Sequence, residues 1–429
     1  MKTMKRSFLY FICSVSALGG LLFGYDWVVI GGAKPFYELY FGITDSPSLQ
    51  GLAMTTANIG CLFGAMTAGW LTDRWGRRPL LLFAAVLFTV SAVGTGLFND
   101  FVLFNISRFV GGIGIGIASM LSPMYIAEVS PANIRGRMVS LNQMTIVLGI
   151  LFAQVINMLL AESVDPTMAT AELIQTWNVR MGWRWMFWAE TIPAALFLVL
   201  ALFIPESPVY IAMRQGKVSA DEAHQKATLL TLFGGKYGRL LLLGLVIAVF
   251  QQWCGTNVIF NYAQEIFQGA GFSVDGMFIN IVITGIANVL FTFVTLYTVE
   301  KWGRRTLMLI GAGGLGMIYL ILGTCYFVEV KGLLMVVLVV MAISCYAMTL
   351  GPVTWVLLAE IFPHRVRGVA MAVCTFALWT GCCTLTYTFP LMNASVGSYG
   401  SFWIYSGICI FAFIFLFRKC PETKGKALE

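Results

Sequence analysis

The stretch "DRWGRRP" at residues 73–79 returns as "EKWGRRT" at 300–306, an offset of 227 positions. Two further pairs follow in the same order. "AEVSPANIRGR" at 127–137 is echoed by "AEIFPHRVRGV" at 359–369, and "PESP" at 205–208 by "PETKG" at 421–425, at offsets of 232 and 216. Three matched pairs in one register mark an internal repeat. Each is a charged cluster between long apolar runs. Parallel repeats of this kind, related by an axis along the membrane normal, are an architecture that carries solutes across bilayers near the interface of the halves.

Composition agrees. The chain of 429 residues is 59% hydrophobic and only 11% charged, against about 25% charged in a soluble domain. Apolar stretches of about 20 residues, the length that spans a bilayer, recur throughout. Backbone groups in lipid pair within their own segment, so the runs read as helices. The pattern predicts twelve, near 8–32, 52–72, 79–97, 101–126, 138–160, 185–204, 239–267, 277–298, 306–327, 333–359, 367–391 and 399–417. The expected fold is an all-α membrane protein of two pseudo-symmetric six-helix bundles, 1–205 and 239–429. A cytoplasmic linker at 206–238 joins them, with a short helix from Ser219 to the stop at Gly234-Gly235. Residues Met1–Gly24 imitate a signal peptide, but the apolar run continues to Ile30, so the segment reads as a retained first span.

Orientation follows from basic residues. With both ends cytoplasmic, 22 of the 27 Lys and Arg fall in inside loops; Lys34, Arg180, Arg184 and Lys331 fall outside, and Arg108 stays within a span. The net charge of +7 calls for no nucleic-acid partner. Ten cysteines, mostly isolated in apolar runs, do not form a disulfide framework, and the two histidines, His224 and His364, are too far apart to suggest a metal. No cofactor is expected, and neither a nucleophile–base array nor an HExxH motif suggests an enzyme. A monomer is expected.

Three ionisable residues sit inside first-half spans: Asp26, Arg108 and, about one turn into the sixth span, Glu190. Intramembrane charges cost about 2.5–3.5 kcal/mol on insertion scales and mark function by default. At the inner helix ends acids and bases alternate: Asp73, Arg74, Arg77, Arg78, Glu128, Arg135 and Glu206, then Glu300, Arg304, Arg305, Glu360, Arg367 and Glu422. Glu128 and Arg135 flank a turn at Pro131, as Glu360 and Arg367 flank one at Pro363. These pairs are expected to form a charge network tying the halves together when the inside is shut; topology anchoring alone is the plainer reading.

The motifs "GRR", "PESP", "QQWCGTN", "GPVTWVLLAEIFPHRVRG" and "PETKGK" together resemble the sugar porters of the major facilitator superfamily, over nearly the whole chain. The resemblance implies the major facilitator fold, alternating access by two rocking bundles, and a monosaccharide substrate such as D-xylose or a hexose like D-glucose. It also implies a bacterial inner-membrane location. Proton-coupled members carry Asp at the position of Asp26 and facilitative ones Asn, so Asp26, with Arg108 and Glu190, is expected to couple sugar to a proton. A carboxylate that trades water for Arg108 would bind a proton differently in two states. A static Asp26–Arg108 pair, a uniporter and a non-transporting sugar sensor are the alternatives; a sensor would carry long cytoplasmic tails.

A sugar is a ring of hydroxyls, and amides supply both donors and acceptors to replace lost water. Gln251, Gln252 and Asn257 do not share one helical stripe, but a break at Gly255 would let them converge. Gln143 supplies an amide from the first half and Asn288 one from the eighth span, where an interhelical hydrogen bond is the rival role. Trp355, after Gly351-Pro352, offers a flat apolar face beside an expected helix break. By resemblance, Gln143, Gln251, Gln252, Asn257 and Trp355 match sugar-contacting positions. The chain departs from the family where Leu378 and Cys382 replace a Gln and an Asn in the eleventh span, and where Asn261 stands for a frequent Tyr.

Overall fold

The computed structural model describes residues 6–131, 134–164, 168–216 and 237–423, with the side chains of residues 296, 300, 364, 365, 367 and 368 outside the description. The linker helix expected from Ser219 to Gly235 therefore lies outside the described residues, as do the side chains of Glu300 and Arg367. Among the described residues there is no strand. Eleven helices among the described residues are long and apolar enough to cross a membrane. The last, His364–Lys419, is broken at Gly397 (φ 69°, ψ 175°) and is two spans, so the count is twelve.

The first six spans are α1 (Arg6–Phe41), α2 (Pro47–Trp75), α3 (Arg77–Leu97), α4 (Phe101–Val129), α5 (Arg135–Leu160) and α6 (Asn178–Ala201). The second six are α7 (Gly238–Asn261), α8 (Val274–Trp302), α9 (Arg304–Phe327), α10 (Leu333–Ile361), α11 (364–396) and α12 (398–419). The contacts divide the chain into two compact units: Met1–Asp45 with Leu52–Ala220, and Ser46–Gly51 with Asp221–Glu429.

The helix breaks have local causes. Pro352 has no N–H and its ring crowds the carbonyl of Met348 four residues back. The interruption of α10 accordingly sits at Thr349 (φ −130°, ψ −90°), just before the Gly351-Pro352 pair. Pro193 acts the same way on Ala189, and α6 turns at Ala189-Glu190 between its segments Trp183–Trp188 and Thr191–Ala201. In α7 the residue at the break is Gly255 (φ 86°, ψ −11°), in the left-handed region that a side chain would strain.

Two boundaries correct the sequence reading. α1 runs on to Phe41, past the expected end at 32. Lys34 is therefore inside the helix, buried, and its Nζ lies 2.8 Å from Glu38 Oε1 one turn on. Mutual neutralisation at i, i+4 lets the helix carry both charges through the bundle. α6 begins at Asn178, so Glu190 sits midway along its span and not one turn in.

Within the first unit α1 and α5 meet through small residues, which let backbones approach where lipid gives no hydrophobic advantage. A Cβ on Gly24 would come within 1.9 Å of the Ile146 carbonyl oxygen, and one on Gly149 within 2.1 Å of that of Leu21. Within the second unit Trp253 Nε1 donates to the Gly381 carbonyl at 3.0 Å and the Tyr262 hydroxyl to that of Thr386 at 2.7 Å, holding α7 along α11. Gly24→Ala should lower the melting temperature in detergent by several degrees, because a backbone carbonyl cannot swing aside. Gly136→Ala, with nothing within 4 Å of the added methyl, should leave it unchanged or slightly raised. Equal effects would show that the α1–α5 approach is not the tight one.

Candidate functional site

The first cluster is built on α1, α4 and α6 of the first unit. Asp26, Arg108 and Glu190 are 0%, 1% and 2% exposed, so their charges must be met by each other. Arg108 Nη1 donates to Asp26 Oδ1 and Nη2 to the Asp26 carbonyl at 3.1 Å. The Phe187 ring covers the guanidinium at 5.4 Å. Glu190 is close enough to both partners to interact with them electrostatically, and the Tyr25 hydroxyl donating to the Met186 carbonyl at 3.0 Å pins α1 to α6 beside it. Asp26 Oδ2 and Glu190 Oε1 have no hydrogen-bond partner in the fold. Two carboxyls share one guanidinium, so the cluster is neutral when it holds one proton. Gly111 makes room: a Cβ there would lie 2.9 Å from Asp26 Oδ2 and 2.2 Å from Ser91 Oγ.

The second cluster lies in the second unit. The turn at Gly255 brings the three α7 amides into one chain. Asn257 Nδ2 donates to Gln252 Oε1, and Gln252 Nε2 donates to Gln251 Oε1. Gln251 Nε2 donates to the Tyr346 hydroxyl of α10 at 2.6 Å. All three amides are buried. Asn288 is buried on α8, Trp355 on α10 is exposed, and Gln143 on α5 of the other unit is half-buried. On α11, Leu378 and Cys382 are buried, as is Asn261 at the end of α7.

The third feature occurs once in each unit. Arg77 binds Glu128 of α4 through Nε and Nη2 at 3.0 and 2.9 Å. Glu206 accepts from the backbone N–H groups of Arg77 and Arg78 at 3.0 and 3.2 Å, capping α3. Ser207 Oγ donates to Glu128. In the second unit Arg304 binds Glu360 at 3.1 and 3.0 Å, and Glu422 accepts from the N–H groups of Arg304 and Arg305 at 3.0 and 3.1 Å, capping α9. Thr423 Oγ1 donates to Glu360. Gly76 and Gly303, at φ 96° and 84°, leave the space the capping glutamates enter. A Cβ would meet Glu206 Oε2 at 2.4 Å or Glu422 Oε2 at 2.6 Å. Carboxylates at helix N-termini also meet the positive end of the dipole.

A family model described as "Sugar (and other) transporter" matches residues 12–429. The chain belongs to that family. It is 36% identical to the D-xylose-proton symporter of Escherichia coli K12, over 99% of this chain and 95% of the relative. It is 34% identical to the arabinose-proton symporter of Bacillus subtilis 168, over 100% and 95%. It is 30% identical to the glucose facilitated diffusion protein of Zymomonas mobilis, over 97% and 95%. Among solved structures, the inward-open xylose transporter of E. coli superposes with a TM-score of 0.84 at 35% identity, covering 98% of each chain. A crystal structure of a D-xylose-proton symporter gives 0.84 at 37% identity, over 98% and 99%. The chain is thus a multi-pass transporter of the twelve-helix major facilitator fold, and its family is one of transporters, not enzymes.

Against this family background the charged motifs need one correction. The turn-flanking pair Glu128 with Arg135 is not among the described contacts, and the Arg367 side chain, expected to pair with Glu360, lies outside the described residues. Glu128 turns to Arg77 and Glu360 to Arg304, each inside its own unit, while Arg135 is exposed. A helix end two spans away offers a buried cation, whereas Arg135 can keep its charge in water at less cost. Asp73 stands 3.8 Å from Arg77, and the exposed Arg74 lies over Trp70 at 5.3 Å. Arg78 and Arg305 donate to the Leu202 and Phe417 carbonyls.

Several participants had not been singled out in the sequence: Tyr346, Ser91, Gly111, Ser207 and Thr423. The last two follow a capping glutamate in both copies of the repeat, Glu206-Ser207 and Glu422-Thr423, so the repeat itself carries their signal. Tyr346 carries no such mark. Removing Arg77 leaves Glu128 without its cation, and breaking a buried pair costs about 3–5 kcal/mol. Arg77→Ala should therefore lower thermal stability strongly. Arg304→Ala should do so less, since its pair is 9% and 20% exposed against 1% and 13% for Arg77 and Glu128. Unchanged melting of both variants in detergent would contradict the assignment.

Proposed function

We propose that the chain is a proton-coupled symporter of a monosaccharide, D-xylose or a hexose such as D-glucose, working by alternating access with Asp26 as its proton site. The observation that carries this reading is the buried Asp26–Arg108–Glu190 cluster, in which two acids face one base and one carboxylate oxygen of each acid stays unpaired. When Asp26 holds a proton, Arg108 loses its anionic partner and can turn to Glu190; when the proton leaves, the Asp26–Arg108 pair re-forms. Two arrangements with different proton affinity are what coupling needs. With Glu190 ionised, the cluster is neutral while Asp26 holds the proton and carries one net negative charge once the proton has left.

The sugar is bound by the amides of Gln251, Gln252 and Asn257, with Gln143, Asn288 and Trp355 as further contacts. Each amide in the relay retains an N–H and a lone pair beyond its neighbour. Support comes from the names of the relatives, which include a xylose and an arabinose proton symporter. Another relative structure is of a proton:xylose symporter bound to 6-bromo-6-deoxy-D-glucose. Facilitated diffusion, named in a 30% identical relative, needs no ionisable group at membrane depth, and the buried acids weigh against it here. The capped arginine sites, with Asp73, Arg74, Arg135, Glu300 and Arg367 around them, govern the inner gate. The protein works as a monomer in a bacterial inner membrane with both ends in the cytoplasm, as the placement of basic residues supports.

One pH unit is about 1.36 kcal/mol, so one-for-one symport into vesicles with an exterior one unit more acidic should concentrate sugar about tenfold. Asp26→Asn should still exchange labelled sugar in counterflow yet equilibrate it without accumulation. Accumulation by the Asn variant, at any imposed gradient, would remove Asp26 from the coupling step.

A further inference from the structure

We infer that Tyr346 is a specificity-determining residue: its phenol ends the amide relay of α7 as a hydrogen-bond donor held toward the sugar. The inference rests on the amide cluster being the sugar site, as proposed above.

The relay has a direction. Asn257 donates to Gln252, Gln252 to Gln251, and Gln251 Nε2 to the Tyr346 oxygen at 2.6 Å. A phenol has one proton and accepts as well as donates. Because Gln251 supplies the proton in their shared bond, the Tyr346 proton is left for a different acceptor. The aromatic ring is rigid, so this donor has little freedom to turn away.

The neighbouring wall makes that donor matter. Leu378 and Cys382 are buried one turn apart on α11, and so lie on one face of that helix. Cys382 and Cys254 are close enough to the Tyr346 hydroxyl to interact with it electrostatically. The Trp253 bond to Gly381 holds α7 against the same stretch of α11. A leucine offers no polar group and a thiol only a weak donor. The phenol is a stronger donor than either, and a hydroxyl oxygen of the sugar meets it as an acceptor.

The class of ligand follows. A sugar with a hydroxyl at the position facing Tyr346 binds well. A fluorine there, which accepts but cannot donate, is partly tolerated, and a hydrogen is rejected. A site built to hydrogen-bond a hydroxyl discriminates strongly against its absence, because the protein group is then left unpaired.

The test is inhibition of D-xylose and D-glucose counterflow in proteoliposomes by the two series of monodeoxy and monofluoro-deoxy analogues. It is run for the full chain and for Tyr346→Phe. For the unaltered protein, at one ring position, the deoxy sugar should bind at least about tenfold more weakly than the parent, with the fluoro sugar between them. In Tyr346→Phe the three should fall within about twofold at that position only, while the ratios at every other position stay as they were. A residue acting only in packing would weaken all analogues alike, so a uniform loss, or an unchanged pattern, overturns the inference. If the unaltered protein exchanges neither sugar, the functional reading itself falls, and this inference with it.

Discussion

Inside an apolar helix bundle a charge has no water to face, and the fold must bring it an opposite charge or a set of dipoles. Among the described residues each buried ion is met in that way. Lys34 finds Glu38 a turn away on its own helix, and Arg77 and Arg304 find Glu128 and Glu360 on neighbouring helices. Arg184 has no acid beside it in its described contacts. It donates instead to the Gly96 and Phe98 carbonyls at the end of α3, where the helix dipole is negative, and it packs on Tyr40 and Trp183. The Asp26 cluster differs in its arithmetic, because two acids answer to one base. Burial makes a surplus negative charge expensive, and in the proposed cycle that surplus is what gives a proton its place there.

The same constraint shapes the backbone. A helix in lipid satisfies its own N–H and C=O groups, and departures occur where protein can answer for them. Three such departures sit at the proposed functional clusters. Pro193 turns α6 beside Glu190, Gly255 turns α7 between Gln252 and Asn257, and Pro352 breaks α10 three residues after Tyr346. In each case a residue that disrupts regular hydrogen bonding aims side chains that an unbroken helix would have spread around its circumference. The capped arginine sites show a different kind of economy. Gly76 and Gly303 open two equivalent turns, and a glutamate from the far end of each unit enters both. The fold has reached the same solution twice.

Much of this was legible in the sequence, and the reasons are specific. The spans are long and apolar, so length alone locates them, and the repeat fixes how they group. The convergence of Gln251, Gln252 and Asn257 followed from a glycine placed among three amides that a regular helix would separate. What the sequence did not disclose is partnership across helices. The spans are apolar around most of their surface, so no periodicity tells which neighbour each face meets. Glu128 was assigned by proximity to Arg135, yet its partner is Arg77, in contact only once α3 and α4 are packed. Lys34 falls beyond the first span as read from the sequence, which ends at 32, and only the packed helix shows Glu38 neutralising it. Tyr346, one aromatic among many apolar residues, carries no mark until its hydroxyl is found against Gln251.

The claim on which the account stands is that a proton enters the Asp26 cluster with each sugar that crosses. External pH, recorded in a lightly buffered suspension of de-energised cells or right-side-out vesicles, tests it directly when D-xylose or D-glucose is added. The account predicts a transient rise in external pH that tracks sugar entry and disappears when a protonophore lets protons equilibrate. Sugar entry of normal rate with no movement of protons, across the pH range, would contradict it.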